Sequence, residues 1–301
     1  MTTLLWAVPA LIAAMAIAMK TLVNEYFKVN PAQFLWWMRL FNILALLPAA
    51  FFIPCPVDPL FYVFVISGGV LFAYYDVILH EQTAENGAGV VSRIMALSVG
   101  AMFILWTAIT PSLALEYLGH PLRSAGILGA LGGGIYFALK LRHCEISLRA
   151  LRRMFPAMLL AAIGVVLGKL AMNHAQIYSG VVYYALVQSV TVFCIYMLTL
   201  KIPALSRRVH APQPSLHSFI RDKRILAAGA CSSVFWITQA LLKWFAIWQV
   251  ENPAYVTMIG LSGPLWILLV YKLAGRKETA NIWPGLGIVA CALLLVAFTS
   301  L

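Results

Sequence analysis

Residues 9–24 read PALIAAMAIAMKTLVN, an apolar helix carrying a single lysine, Lys20, with Asn24 one turn further on. Residues 156–173 read PAMLLAAIGVVLGKLAMN and repeat the pattern, Lys169 being followed by Asn173 at the same i, i+4 spacing. The two copies stand half the chain apart. Two lysine-bearing helices of membrane length imply a duplicated helical membrane protein whose polar centre lies near the lysines.

Composition agrees with that reading. Hydrophobic residues make up 62% of the 301 positions and charged residues 10%, against about 45–50% and about 25% in soluble domains. Ten apolar stretches follow one another, at approximately 3–23, 32–53, 59–79, 88–109, 121–140, 155–174, 180–200, 225–247, 253–273 and 280–300. Each is close to the ~20 residues that cross ~30 Å of hydrocarbon. The expected fold is therefore an all-α integral membrane protein of ten transmembrane helices. Asn30-Pro31, Pro54-Cys55-Pro56, Pro111, Pro121 and Pro212 to Pro214 punctuate the stretches. Most loops are a few residues long, and the longest, 201–224, is polar and proline-containing. Residues 4–19 lack the positive flank of a signal peptide, so they read as an uncleaved first helix. Cys55, Cys144, Cys194, Cys231 and Cys291 show neither CxxC spacing nor a histidine cluster, so no disulfide framework, zinc site or cofactor is expected.

The net charge of +11 does not point to nucleic acid, because the basic residues sit between apolar spans. Numbered from the N-terminus, the odd loops hold Lys28, then Lys140 to Arg153, then Lys201 to Arg224, then Lys272 to Lys277; the even loops hold at most Arg123. Positive charge marks the cytoplasmic face. The chain is expected to be multi-pass in the cell inner (plasma) membrane, with both termini extracytoplasmic.

The repeat extends past the first helices. The same offset sets Arg39 of the second span on Gln188 of the seventh, and a slightly longer one sets Glu85-Asn86-Gly87-Ala88 on Glu251-Asn252-Pro253-Ala254. Five helices per repeat is an odd number, so residues 1–150 and 151–301 form two inverted five-helix repeats, an arrangement typical of secondary transporters with binding near the midplane.

These features resemble the drug/metabolite transporter superfamily, in particular its EamA-type ten-helix transporters. The residues that carry the resemblance are Lys20, the second-helix stretch Pro31 to Pro48, Leu261-Ser262-Gly263-Pro264-Leu265-Trp266, Gly275-Arg276-Lys277-Glu278, Gly285-Leu286-Gly287 and the glycine-rich Gly126 to Tyr136. Leu97-Ser98-Val99-Gly100 lacks the proline expected where Pro264 stands in the second half. The resemblance implies alternating access around a central cavity for a small metabolite. Familiar members have cytoplasmic termini, opposite to the orientation that the charges here favour.

Ionisable residues within a span cost about 2.5–3.5 kcal/mol each on insertion scales and by default face the bundle interior. They are Lys20, Arg39, Asp76, Arg93, Lys169 and Lys243, five cations and one carboxylate. A surplus of buried positive charge calls for an anionic group on the substrate, and the planar Arg39 guanidinium suits a carboxylate or phosphate. The alternatives are that Lys20 and Lys169 snorkel to an interface and that Arg39 simply pairs with Asp76. Asn24, Asn173, Gln188, Tyr74 and Tyr183 complete the candidate substrate-binding set, with Gln188 and Lys243 grouped opposite Lys20. Trp36, Trp37, Tyr75, Tyr184, Trp236 and Trp266 are further aromatics able to wall a cavity. His80 and His174 read as interfacial.

The function expected is that of a secondary transporter moving a small organic metabolite with an anionic group. The alternative is a flippase for a lipid-linked or amphipathic substrate. No HExxH, DDxxD or GxSxG pattern occurs, so an enzyme is not expected. The partners are the small-molecule substrate and the lipid bilayer; a proton or sodium coupling ion and a homodimer are left open.

Overall fold

The computed structural model describes residues 5–29, 31–86, 88–140, 148–201, 222–275 and 282–299. Among these, every regular element is a helix: α1 (Ala7–Phe27), α2 (Pro31–Phe52), α3 (Pro59–Asn86), α4 (Ala88–Ile109), α5 (Pro111–Gly119), α6 (Pro121–Lys140), α7 (Leu148–Asn173), α8 (Ile177–Lys201), α9 (Lys223–Gln249), α10 (Pro253–Gly260), α11 (Gly263–Leu273) and α12 (Ile282–Thr299).

The helix boundaries have local causes. Proline opens α2, α3, α5, α6 and α10, where its missing N–H is no loss and its φ suits the first turn. Asp222 caps α9 by accepting from the N–H groups of Arg224 and Ile225, and Asn252 caps α10 by accepting from that of Ala254. α1 ends at Lys28, which takes the left-handed conformation (φ 48°) and donates its N–H back to the Asn24 carbonyl. Pro264 allows no continuous ladder through Ser262, so α10 and α11 are two helices of one apolar stretch.

Among the described residues eight helices or helix pairs are long and apolar enough to cross a membrane: α1, α2, α3, α6, α7, α8, α9 and α10 with α11. α4 joined to α5 adds a ninth if the pair is counted as one span, but α5 turns away from α4 by 103°. The apolar part of α12, Trp283–Thr299, is shorter. Val63, Ile66 and Val70 stand exposed at helical spacing along α3, as do Leu286, Val289 and Leu293 along α12. Apolar stripes of this extent belong against lipid. The chain is an all-α, multi-pass membrane protein.

α3 lies along α7 and α1 along α9, while α2 crosses α8 and α6 pairs with α12. The last two pairs are antiparallel. Trp36, early in α2, donates its indole N–H to Met197 Sδ (2.9 Å) late in α8, and Tyr183, early in α8, donates to the Ala50 carbonyl (2.9 Å) late in α2. Arg123 at the start of α6 donates to the Phe298 carbonyl (3.3 Å) near the end of α12, and a side chain at Gly287 would strike Phe137 at the opposite end of that pair. The main core runs between these pairs and includes Phe34, Met38, Tyr184, Trp236, Trp244 and Met258. Small residues make the close crossings: a Cβ on Gly229 of α9 would come within 2.7 Å of Trp37 Cβ and 3.2 Å of the Met38 backbone nitrogen.

Candidate functional site

Charge gathers where α1, α2, α3, α8 and α9 meet. Arg39 Nη2 on α2 donates to Asp76 Oδ2 on α3 at 2.8 Å, with the two side chains only 3% and 14% exposed. The guanidinium also lies over the Trp236 ring of α9, 4.6 Å from its centroid. Tyr196 on α8 donates its hydroxyl to the same carboxylate oxygen at 3.4 Å. Burial of an unpaired charge is prohibitive, and pairing with stacking is what makes these two tolerable.

Two lysines complete the cluster. Lys20 on α1 lies within electrostatic reach of both Asp76 and Arg39. Lys243 on α9 lies within reach of Lys20, its ammonium 5.6 Å from the Trp244 ring centroid. Both lysines are half-buried, and neither makes a hydrogen bond among the described residues. The cluster thus has three basic side chains and one acidic one. Lys243 belongs with Lys20, not opposite it as its place in the repeat implies.

One turn along α2 from Arg39, Asn42 Oδ1 accepts from Ser233 Oγ of α9 at 2.7 Å. Arg39 Nε and Nη1, Asn42 Nδ2 and Ser232 Oγ are buried and have no partner among the described residues. The guanidinium therefore keeps two buried nitrogens without a partner among the described residues beside the one that Asp76 holds.

Lys169 does something else. Its side chain is buried, and Nζ donates to the carbonyls of Ile247 (3.0 Å) and Trp248 (3.3 Å) in the last turn of α9. Those carbonyls have no N–H donor within their own helix, and a cation is favoured at that end of the dipole. Asn173 is exposed and Asn24 half-buried, so the shared i, i+4 spacing does not give the two asparagines a shared environment. Gln188 is buried and makes no hydrogen bond among the described residues. Tyr183 is engaged with Ala50 and Ile53 at the end of α2. Tyr74 is 54% exposed and continues the outward stripe of Val63, Ile66 and Val70, whereas its neighbour Tyr75 packs inward on Phe72. The side chains of Arg93 and His80 lie outside the described residues.

A second polar group occupies the opposite end of the bundle. Arg123 reaches Glu116 of α5 (2.5 Å) and Glu251 between α9 and α10 (3.4 Å). Beside it the hydroxyls of Tyr117 and Tyr255 share a hydrogen bond of 2.5 Å. Sequence reasoning missed this group, and Tyr196 as well. Tyr196 lies two turns beyond Gln188 on α8, a spacing that points both to one face. Among the described residues no group of three or more His, Cys, Asp or Glu could hold a metal ion. No family model matches the chain, and no curated protein matches it in sequence.

Proposed function

We propose that this chain is a secondary transporter that moves a small organic metabolite bearing an anionic group by alternating access. The observation that carries the reading is the buried Arg39–Asp76 pair, with Lys20 within electrostatic reach of both and Lys243 within reach of Lys20. Charged groups are retained inside a membrane bundle where they meet a solute or an ion, and an excess of cations favours an anion. Asp76 is the one carboxylate in the cluster among the described residues, which makes it the candidate for sensing a coupling proton.

The antiparallel crossing of α2 with α8 and of α6 with α12 supports two inverted five-helix repeats, because each pair joins elements at corresponding positions of residues 1–150 and 151–301. The pairing of α1 with α9, answered by α7 with α3, supports the same reading. On it, α4 with α5 and α12 complete ten spans, and the drug/metabolite transporter resemblance of the EamA type is the family proposal. The basic loops then put the Lys20 end of the bundle toward the cytoplasm and both termini outside.

The test is uptake by the full chain in proteoliposomes, using labelled organic acids and phosphate esters under imposed proton or sodium gradients. Saturable uptake that Arg39→Ala abolishes and Asp58→Ala preserves is expected. Movement of labelled lipid without any solute uptake would replace this reading with a flippase.

A further inference from the structure

We infer that the Lys20–Arg39–Lys243 cluster is a binding site for a dianionic group, a dicarboxylate or a phosphate monoester, with Asp76 as the resident counter-ion. The inference rests on the transporter reading for its purpose but on charge and geometry for its content. Arg39 is 3% exposed, and of its nitrogens only Nη2 is hydrogen-bonded among the described residues. Nε and Nη1 are buried and unpartnered among the described residues, so the guanidinium holds free donors on both sides of the nitrogen that Asp76 occupies. Nature seldom leaves such donors empty: a buried polar group without a partner loses its hydration and gains nothing back.

Charge decides the valence of the ligand. Lys20 is within reach of Arg39 and Asp76, and Lys243, two turns along α9 from the Trp236 that stacks on Arg39, is within reach of Lys20, so Lys20 links the three cations. Asp76 cancels one of them, and two remain. A monoanion leaves one cation uncompensated in an apolar bundle; a dianion leaves none. A phosphate monoester carries close to two charges at neutral pH and presents acceptor oxygens in several directions, and a dicarboxylate distributes the same charge over two ends. Trp236 beneath the guanidinium fixes its plane, so an anion meets it edge-on, in the geometry of a charge-assisted hydrogen bond. One turn along α2, Asn42 Nδ2 offers a further hydrogen bond to a ligand's polar atoms.

The test is binding, not transport. The purified full chain in detergent is titrated with succinate and glycerol phosphate as dianions, and with butyrate and lactate as monoanions, following tryptophan fluorescence with Trp236 as the reporter. Dianions are expected to bind at least tenfold more tightly than monoanions. Lys243→Met and Lys20→Met, neither of which breaks the Arg39–Asp76 pair, are expected each to lose at least tenfold in dianion affinity while monoanion affinity changes less than threefold. Calorimetry on the same titrations should give affinities within threefold of those read by fluorescence. A chain that binds both valences equally, or lysine variants that weaken both alike, would overturn the inference. Dianion binding without any solute uptake leaves this site standing and removes the transport reading; uptake of a monoanion with unselective binding does the reverse. A dioctanoyl phosphate monoester bound more tightly than glycerol phosphate assigns the dianion to a lipid headgroup, and the opposite order assigns it to a soluble ester.

Discussion

Lys169 Nζ and the Ile247 carbonyl are joined by a hydrogen bond of 3.0 Å that ties the last turns of α7 and α9 together. Lys20 shares the Lys-x-x-x-Asn sequence pattern of Lys169, yet it lies within electrostatic reach of Asp76 and Arg39 and caps nothing among the described residues. Two lysines with one sequence pattern thus do different work. One is held by helix-end carbonyls, and the other is left with its ammonium free.

Replacing Lys169 by methionine keeps the buried stem and removes the cap. The Ile247 and Trp248 carbonyls then lose a charged donor, a change of about 1.5–3 kcal/mol for hydrogen bonds to charged groups. Thermal unfolding of the detergent-solubilised chain should fall accordingly, and Lys169→Arg should recover part of the loss. Ligand binding at the Lys20 cluster should stay as it was. A Lys169→Met protein as stable as the wild type would show that the cap contributes nothing.

Arg39 and Asp76 should behave as a unit. Arg39→Met strands the Asp76 carboxylate, and removing one partner of a buried pair costs about 3–5 kcal/mol. The double variant Arg39→Met, Asp76→Leu removes both charges together and should be far less unstable than the sum of the singles. Chemical denaturation of the four proteins closes the cycle. Additive losses would mean that the 2.8 Å contact is not an energetic pair.

Much of this is readable in the amino-acid sequence. Among the described residues the apolar stretches fall on helices or helix pairs, eight of them long and apolar enough to cross a membrane, because length and composition suffice to find such a segment. The contact of Arg39 with Asp76 was foreseeable as an alternative to substrate binding, since no other carboxylate stands clearly within a span. The rotation of each helix was not. α3 is apolar around its whole circumference, so nothing in its pattern says that Tyr74 faces outward and Tyr75 inward. α5, PSLALEYLG, was hidden for a related reason: nine residues between two prolines look like a loop, and only its packing beneath Tyr255 makes it a helix of consequence. Lys243 was misplaced because repeat offsets position a residue along its helix, not around it.

Glycine substitutions should separate rigid from yielding contacts. A Cβ at Gly168 of α7 would run into the Trp244 ring and come within 2.9 Å of the Tyr184 hydroxyl. Both rings are locked against each other at 4.0 Å. Gly168→Ala should therefore cost about 1–3 kcal/mol, as overpacking does. At Gly134 of α6 the obstacle is the end of the Met258 side chain, which can swing aside. There the ~0.5–1 kcal/mol that alanine gains over glycine in a helix offsets the crowding. Unfolding midpoints for the two variants check the order, and a reversed order would refute the packing argument.

Acid should weaken one loop-to-loop tie at the Lys169 end. Asp58, just before α3, accepts from the Leu60 N–H at 2.9 Å and faces His174 Nδ1 at 2.7 Å. The Leu60 amide first, and then His174, hold its carboxyl below the usual 3.8. A depressed folded value means that the charged carboxylate stabilises the fold above 3.8 and that this contribution disappears as pH falls through the folded value. Asp58→Ala should be less stable than the wild type at neutral pH, and the gap should narrow as the solution is acidified below that range. A gap that stays constant across the titration would show that Asp58 acts without its charge.

Arg123 supplies the last prediction. It ties α6 to Glu116, to Glu251 and to the Phe298 carbonyl, so it crosses between the two halves at one end of the bundle. Tyr271 donating to Glu25 makes a separate cross-tie, between α11 and α1, at the other end. Glu116 and Glu251 are 38% and 51% exposed, and ion pairs this wet are worth about 0–1 kcal/mol each. Such a clamp is strong enough to bias a bundle and weak enough to open. Val256, one residue past Tyr255 on α10, is 3% exposed, so a cysteine there is shielded unless this end opens. In a cysteine-free background, Val256→Cys should react slowly with an impermeant maleimide, and Arg123→Ala should speed the reaction at least tenfold. Glu25→Gln, which loosens the far end, should leave the rate unchanged or lower it. The proposed orientation, with both termini outside, requires the reaction to occur from the exterior of intact cells and not from the exposed cytoplasmic face of inverted vesicles. Reaction from the cytoplasmic face alone would reverse the orientation, and equal rates with and without Arg123 would mean that the clamp does not gate this end.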